Sequence, residues 1–170
     1  MLKIEEQRTI EAMTWSELQA AFSGLRLELS DNRQARYTVR VVQQFPPSRG
    51  IGAAGESRVL RPRGGAGAVN FLMLGSQAVS HAPRGADRRT VVEGIGRGIG
   101  RGAVHEFTHQ LVPHVAIHDS QDPTSYEFAF SSRTRAVLWR DALEHRVGRA
   151  SGQTRSGRSD PGDGPSSLSE

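Results

Sequence analysis

Residues 94–118 read GIGRGIGRGAVHEFTHQLVPHVAIH. Glycine stands at 94, 96, 98, 100 and 102, and four of the chain's six histidines follow: His105, His109, His114 and His118. Two chemistries compete for this stretch. Alternating glycines suit a loop around a nucleotide phosphate, whereas clustered imidazoles suit a metal. The apolar residues help to separate them. Val92, Ile95, Ile99, Ala103, Phe107 and Leu111 recur at spacings of three and four, which is one stripe of a helix. A helix over 87–111 is therefore predicted, ended by Pro113. Gly98-Ile99-Gly100-Arg101-Gly102-Ala103 fits G-x-G-x-x-A. That pattern holds a dinucleotide where it follows a strand directly and opens a helix. Here the preceding apolar run ends at Leu74, the stripe passes straight through the glycines, and no G-K-[ST] follows. Each glycine costs a helix up to about 1 kcal/mol relative to alanine. A helix that keeps several is expected to lie close against another element, such as the sheet, with Ile95, Ile99, Ala103 and Phe107 facing it.

His105-Glu106-Phe107-Thr108-His109 is H-E-x-x-H. On a helix, positions i and i+4 share a face, so both imidazoles can reach one ion. A glutamate beside the first histidine stands near that ion without ligating it. It can take a proton from water and later pass one to a leaving amine. The spacing thus points to Zn2+ held by His105 and His109, with Glu106 as general base.

These residues resemble the zincin metallopeptidases, which share an H-E-x-x-H helix behind a twisted sheet. Residues 105–128, HEFTHQLVPHVAIHDSQDPTSYEF, look closest to a divergent metzincin-like branch. That branch continues with x-x-G-x-x-H and a tight turn containing methionine. Here Val112 replaces the glycine, Val115 replaces the third histidine, and no methionine follows Met73. The resemblance implies a third zinc ligand after the helix. His118 is the leading candidate, because His118-Asp119-Ser120-Gln121-Asp122-Pro123 resembles the H-S-x-D-P stretch of matrix-type members. His114, Asp119 and Glu127 are alternatives, and Glu144 is the candidate if the ligand sits on a following helix. The resemblance also implies that Tyr126 stands near the metal as an oxyanion donor; closing the core is its other reading.

The rest of the chain sets limits. It has 170 residues, no cysteine and a net charge of +4. Thiolate metal sites and disulfides are therefore excluded. Mean hydropathy is −0.49 and the pI is 10.5, the basicity coming almost wholly from arginine, since Lys3 is the only lysine. The arginines are scattered and no aromatics interleave with them, which describes a solvated surface better than a nucleic-acid patch. The amino terminus lacks the apolar run of a signal peptide, and no stretch is apolar enough to span a membrane. Cytoplasmic residence or export by a non-classical route is expected, with a protein or peptide substrate and neither nucleic acid nor membrane as partner.

Element by element, a helix is expected at 14–23, with Thr14 and Glu17 at capping-box spacing. Strands are expected at 25–29, 35–45, 57–60 and 68–74. After the long helix come an irregular segment, 114–131, and an amphipathic helix, 132–147. The polar tail from 149 to 170 cannot bury enough to order itself. The expectation is an α+β, zincin-like domain over 1–148. It would have a small sheet on the H-E-x-x-H helix and a C-terminal helix. The expected function is zinc-dependent peptide hydrolysis. The alternatives are a non-catalytic zinc-binding or interaction domain and a basic nucleic-acid-binding protein.

Overall fold

A computed structural model describes residues 1–46, 54–60 and 64–112. Its elements are helix α1 (Ile4–Ala21), strands β1 (Tyr37–Val42), β2 (Gly55–Leu60) and β3 (Gly64–Asn70), and helices α2 (Phe71–Ser80) and α3 (Arg88–Leu111). Among the described residues this is a small α+β arrangement. The segments predicted at 114–131, 132–147 and 149–170 lie outside the described residues, and so does Pro113.

Helix α3 matches the predicted 87–111 within a residue. Asp87 is its N-cap, and the carboxylate accepts the Thr90 amide at 2.7 Å, which satisfies one of the orphan donors of the first turn. The same hydrogen bond lowers the Asp87 pKa. The glycines 94–102 all lie inside this helix, so they form no strand-to-helix phosphate turn.

Strand β3 is central in the sheet order β1-β3-β2. It runs parallel to β1, with Tyr37 opposite Gly65 and Val42 opposite Asn70. It runs antiparallel to β2, with Gly55 opposite Val69 and Leu60 opposite Gly64. Helix α3 packs across all three strands, while α1 and α2 pack against α3.

Three expectations need correction. The apolar run 68–74 is not one strand: it is strand as far as Asn70 and helix from Phe71. Asn70 causes the switch, because its side-chain oxygen accepts the Met73 amide at 3.1 Å and caps α2. Beyond the cap, Leu74 and Ala78, four apart, are buried as a helical pair. Residues 25–29 form no strand: Leu25 and Leu27 are exposed, and of the three leucines Leu29 alone packs against the core. Helix α1 begins ten residues before the predicted Thr14. Its start is tied instead by the Lys3 amide donating to Glu6 Oε2 at 2.8 Å. Thr14 lies mid-helix, its hydroxyl 2.8 Å from Ile10 O and 3.1 Å from Gly96 O.

That last contact shows what the helical glycines serve. A Cβ at Gly96 would stand 2.7 Å from Ile10 O and from Met13 Cβ. A Cβ at Gly100 would stand 2.7 Å from Glu17 Cβ and 3.0 Å from Thr14 O. Close packing is thus the reason for glycine at 96 and 100, where the neighbour is α1 and not the sheet. The apolar stripe is likewise shared between two clusters. Val92, Ile95 and Ile99 bury with Ile10, Val69, Leu74 and Ala78. Ala103 and Val104 bury with Leu18, Ala21 and Phe22, and Phe107 meets Phe22 edge-on, ring centroids 5.9 Å apart.

A buried ion pair crosses the α1–α3 interface. Arg101 is 2% exposed, and its Nε donates to Glu17 Oε2 at 2.9 Å while Nη2 reaches Oε1 at 3.3 Å. Arg97 Nε lies 3.6 Å from the same carboxylate. Charges this buried persist only when paired. Among the described residues no helix is long and apolar enough to cross a membrane.

Candidate metal centre

The C-terminal half of α3 carries the H-E-x-x-H residues. His105 and His109, one turn apart, point their rings the same way. Their Nε2 atoms are 3.1 Å apart, and their ring planes cross at 89° with centroids 4.7 Å apart. Two histidine nitrogens on one tetrahedral zinc would stand about 3.3 Å apart, from Zn–N bonds of about 2.05 Å. The observed separation lies within a few tenths of an ångström of that value. Without an ion the same distance is a hydrogen bond, one Nε2–H donating to the other nitrogen. His105 and Glu106 are buried, and His109 is half-buried.

Glu106 follows a different direction from the histidines, because the next residue along a helix is turned by about 100°. Its carboxylate lies against Gly55, the first residue of the edge strand β2. A Cβ at Gly55 would fall on the carboxylate, 2.8 Å from Glu106 Cδ and 3.0 Å from Cγ. The helix is fastened to the sheet at this level. Ser57 Oγ donates to the Glu106 carbonyl at 2.8 Å. Gln110 Nε2 lies 3.1 Å from the Thr38 carbonyl and 3.2 Å from Ser57 Oγ, which joins β1, β2 and α3. Strand β3 makes room for this. A Cβ at Gly65 would stand 2.6 Å from Gln110 Cγ, and one at Gly67 would stand 2.9 Å from Gln110 Nε2.

His105 and His109 are thus brought together as the motif spacing requires, while the Glu106 carboxylate lies against Gly55. His118 and Tyr126 lie outside the described residues, and so do His114, Asp119, Glu127 and Glu144. Among the described residues, no three His, Asp or Glu side chains form a group that could hold a metal. His81 sits at the end of α2, its Nδ1 3.1 Å from the Gln77 carbonyl and 3.0 Å from Ser80 Oγ, in keeping with an ordinary surface role. Ser57, Gln110 and Gly55 escaped the sequence reading. Gln110 carried one usable signal: it lies four residues after Glu106, so it shares that residue's helical face. Ser57 and Gly55 carried none, since their contacts depend on how the strand registers with the helix.

No protein-family model, curated protein or solved structure matches the chain.

Proposed function

We propose that the chain is a zinc-dependent peptidase of zincin-like fold. The observation that carries this reading is the 3.1 Å approach of His105 Nε2 and His109 Nε2 on the helix that also buries Glu106. The donor set suits the ion: two imidazoles on one helix face are ligands zinc accepts readily. The third ligand comes from residues beyond 112, with His118 first and His114, Asp119 or Glu127 next. No residue in the undescribed stretches 47–53 and 61–63 has a ligating side chain of the His, Asp or Glu type. Zinc, when bound, supplies a Lewis acid that polarises a peptide carbonyl and lowers the pKa of water. His105 and His109 would hold it through Nε2. Glu106 accepts the proton of the attacking water and returns a proton to the departing amine nitrogen. Tyr126 is assigned to the developing oxyanion as a hydrogen-bond donor. A long helix beneath a small sheet, with the antiparallel edge strand β2 next to Glu106, supports the zincin-like description.

The test is metal analysis joined to peptide hydrolysis. The purified protein should carry one zinc per chain and cleave a mixed library of quenched fluorescent peptides. His105→Ala and His109→Ala should lose the metal, and Glu106→Gln should keep the metal and lose cleavage. His118→Ala against His114→Ala identifies the third ligand by which one loses zinc. An active Glu106→Gln protein would refute the mechanism, and a zinc-loaded protein that cleaves nothing would favour a non-catalytic zinc domain.

A further inference from the structure

We infer that Gly55, backed by Ser57 and Gln110, is the positioning element that fixes where the Glu106 carboxylate lies. The inference rests on the reading of Glu106 as general base. The carboxylate occupies the volume that any side chain at 55 would need, with Cδ and Cγ 2.8 and 3.0 Å from the position of a Cβ there. Behind it, each strand contributes one constraint on the axial position of α3. Strand β1 offers the Thr38 carbonyl to Gln110, at 3.1 Å. Strand β2 offers Ser57 Oγ to the Glu106 carbonyl, at 2.8 Å. Strand β3 lets Gln110 lie flat on Gly65 and Gly67. Gln110 is 2% exposed, so this fastening is shielded from water.

Gly55 differs from the other close-packed glycines in what its substitution would strike. At Gly96 the added Cβ meets α1 backbone, and at Gly65 it meets the root of Gln110. At Gly55 it meets the far end of one flexible side chain. Alanine there is accommodated by moving one side chain, whereas at Gly96 two backbones must part. Function and stability therefore separate at this position, which a purely structural glycine would not show.

The experiment compares Gly55→Ala with the parent, each metal-free and zinc-loaded. It reads thermal stability, zinc affinity, kcat, KM, and the 13C resonance of the Glu106 carboxyl, assigned by its disappearance in Glu106→Gln. A misplacement near 1 Å lowers catalysis about a hundredfold. The expected result is a kcat reduced about a hundredfold with KM, zinc affinity and melting temperature unchanged, and a shifted carboxyl resonance even without metal. If Gly55→Ala does not fold, Ser57→Ala carries the test. It removes both the hydrogen bond to the Glu106 carbonyl and the one from Gln110 Nε2, and should lower kcat at least about fivefold at constant KM. Parental kcat in the variant of an active parent, or an unmoved resonance, overturns the inference and leaves the peptidase reading intact. A zinc-loaded parent that cleaves no peptide overturns that reading and, with it, the catalytic part of this one.

Discussion

Replacing Gly96 by alanine should destabilise the protein, although alanine is the better helix former. In an open helix the exchange would gain about 1 kcal/mol. Here the new methyl would stand 2.7 Å from Ile10 O and 2.9 Å from Ile10 Cα. Both are backbone atoms of α1, so no side-chain rotation relieves the clash and the helices must separate. Overpacking of this kind costs about 1–3 kcal/mol. Separation also lengthens the 3.1 Å contact between the Thr14 hydroxyl and Gly96 O, a loss of about 1 kcal/mol. The net effect is a loss of about 1–3 kcal/mol, or a melting temperature lower by roughly 2–12 °C for a domain of this size. Gly75 supplies the internal control. It sits inside α2 with nothing within 4 Å of its Cβ position. Gly75→Ala should therefore realise the propensity gain and stabilise by up to about 1 kcal/mol. Thermal and urea melts followed by circular dichroism at 222 nm measure both. If Gly96→Ala stabilises as much as Gly75→Ala, the close α1–α3 packing assigned to Gly96 is refuted.

Glu17→Gln should be among the most damaging single changes to stability, by about 3–5 kcal/mol, because it removes the carboxylate charge that faces the buried Arg101 guanidinium. Urea melts would show it as a lower midpoint, and a midpoint within error of the parent would contradict the pairing. Acid should act through Glu6. Its hydrogen bond from Arg88, then that from the Lys3 amide, lowers its pKa from 4.5 to about 2. A depressed carboxylate contributes stability that is complete above the unfolded value and lost as pH falls through the folded one. The melting-temperature difference between parent and Glu6→Gln should thus be full above pH 4.5 and gone near pH 2. Added salt should shrink it, since Arg88 is exposed.

The parts of the fold legible in the sequence are those that short-range periodicity encodes. The stripe from Val92 to Leu111 predicted α3 within a residue, and the β-branched run around Val39 and Val41 predicted β1. The parts that failed turned on competition between similar local signals. In residues 68–74, hydrophobicity alone could not tell strand from helix, and the decision lay with one capping oxygen on Asn70. Thr14 and Glu17 have the spacing of a cap, yet both are used across the α1–α3 interface, by Gly96 and by Arg101. A side chain that satisfies a partner on another element leaves no local trace of it.

The candidate site divides along the same line. His105, Glu106 and His109 are close in sequence, so helical geometry alone brings the two imidazoles to 3.1 Å. The direction of Glu106 follows from the same geometry, but its resting place does not. That place depends on a missing side chain at Gly55, 51 positions away in the chain and on a strand whose offset from α3 is set by Ser57 and Gln110. A motif can specify which groups face one another. Where a reacting group stands is specified by the neighbour that leaves it room. If Glu106 is the base, glycine at 55 belongs to the catalytic requirement as much as the histidines do, and a motif limited to residues 105–109 leaves it out.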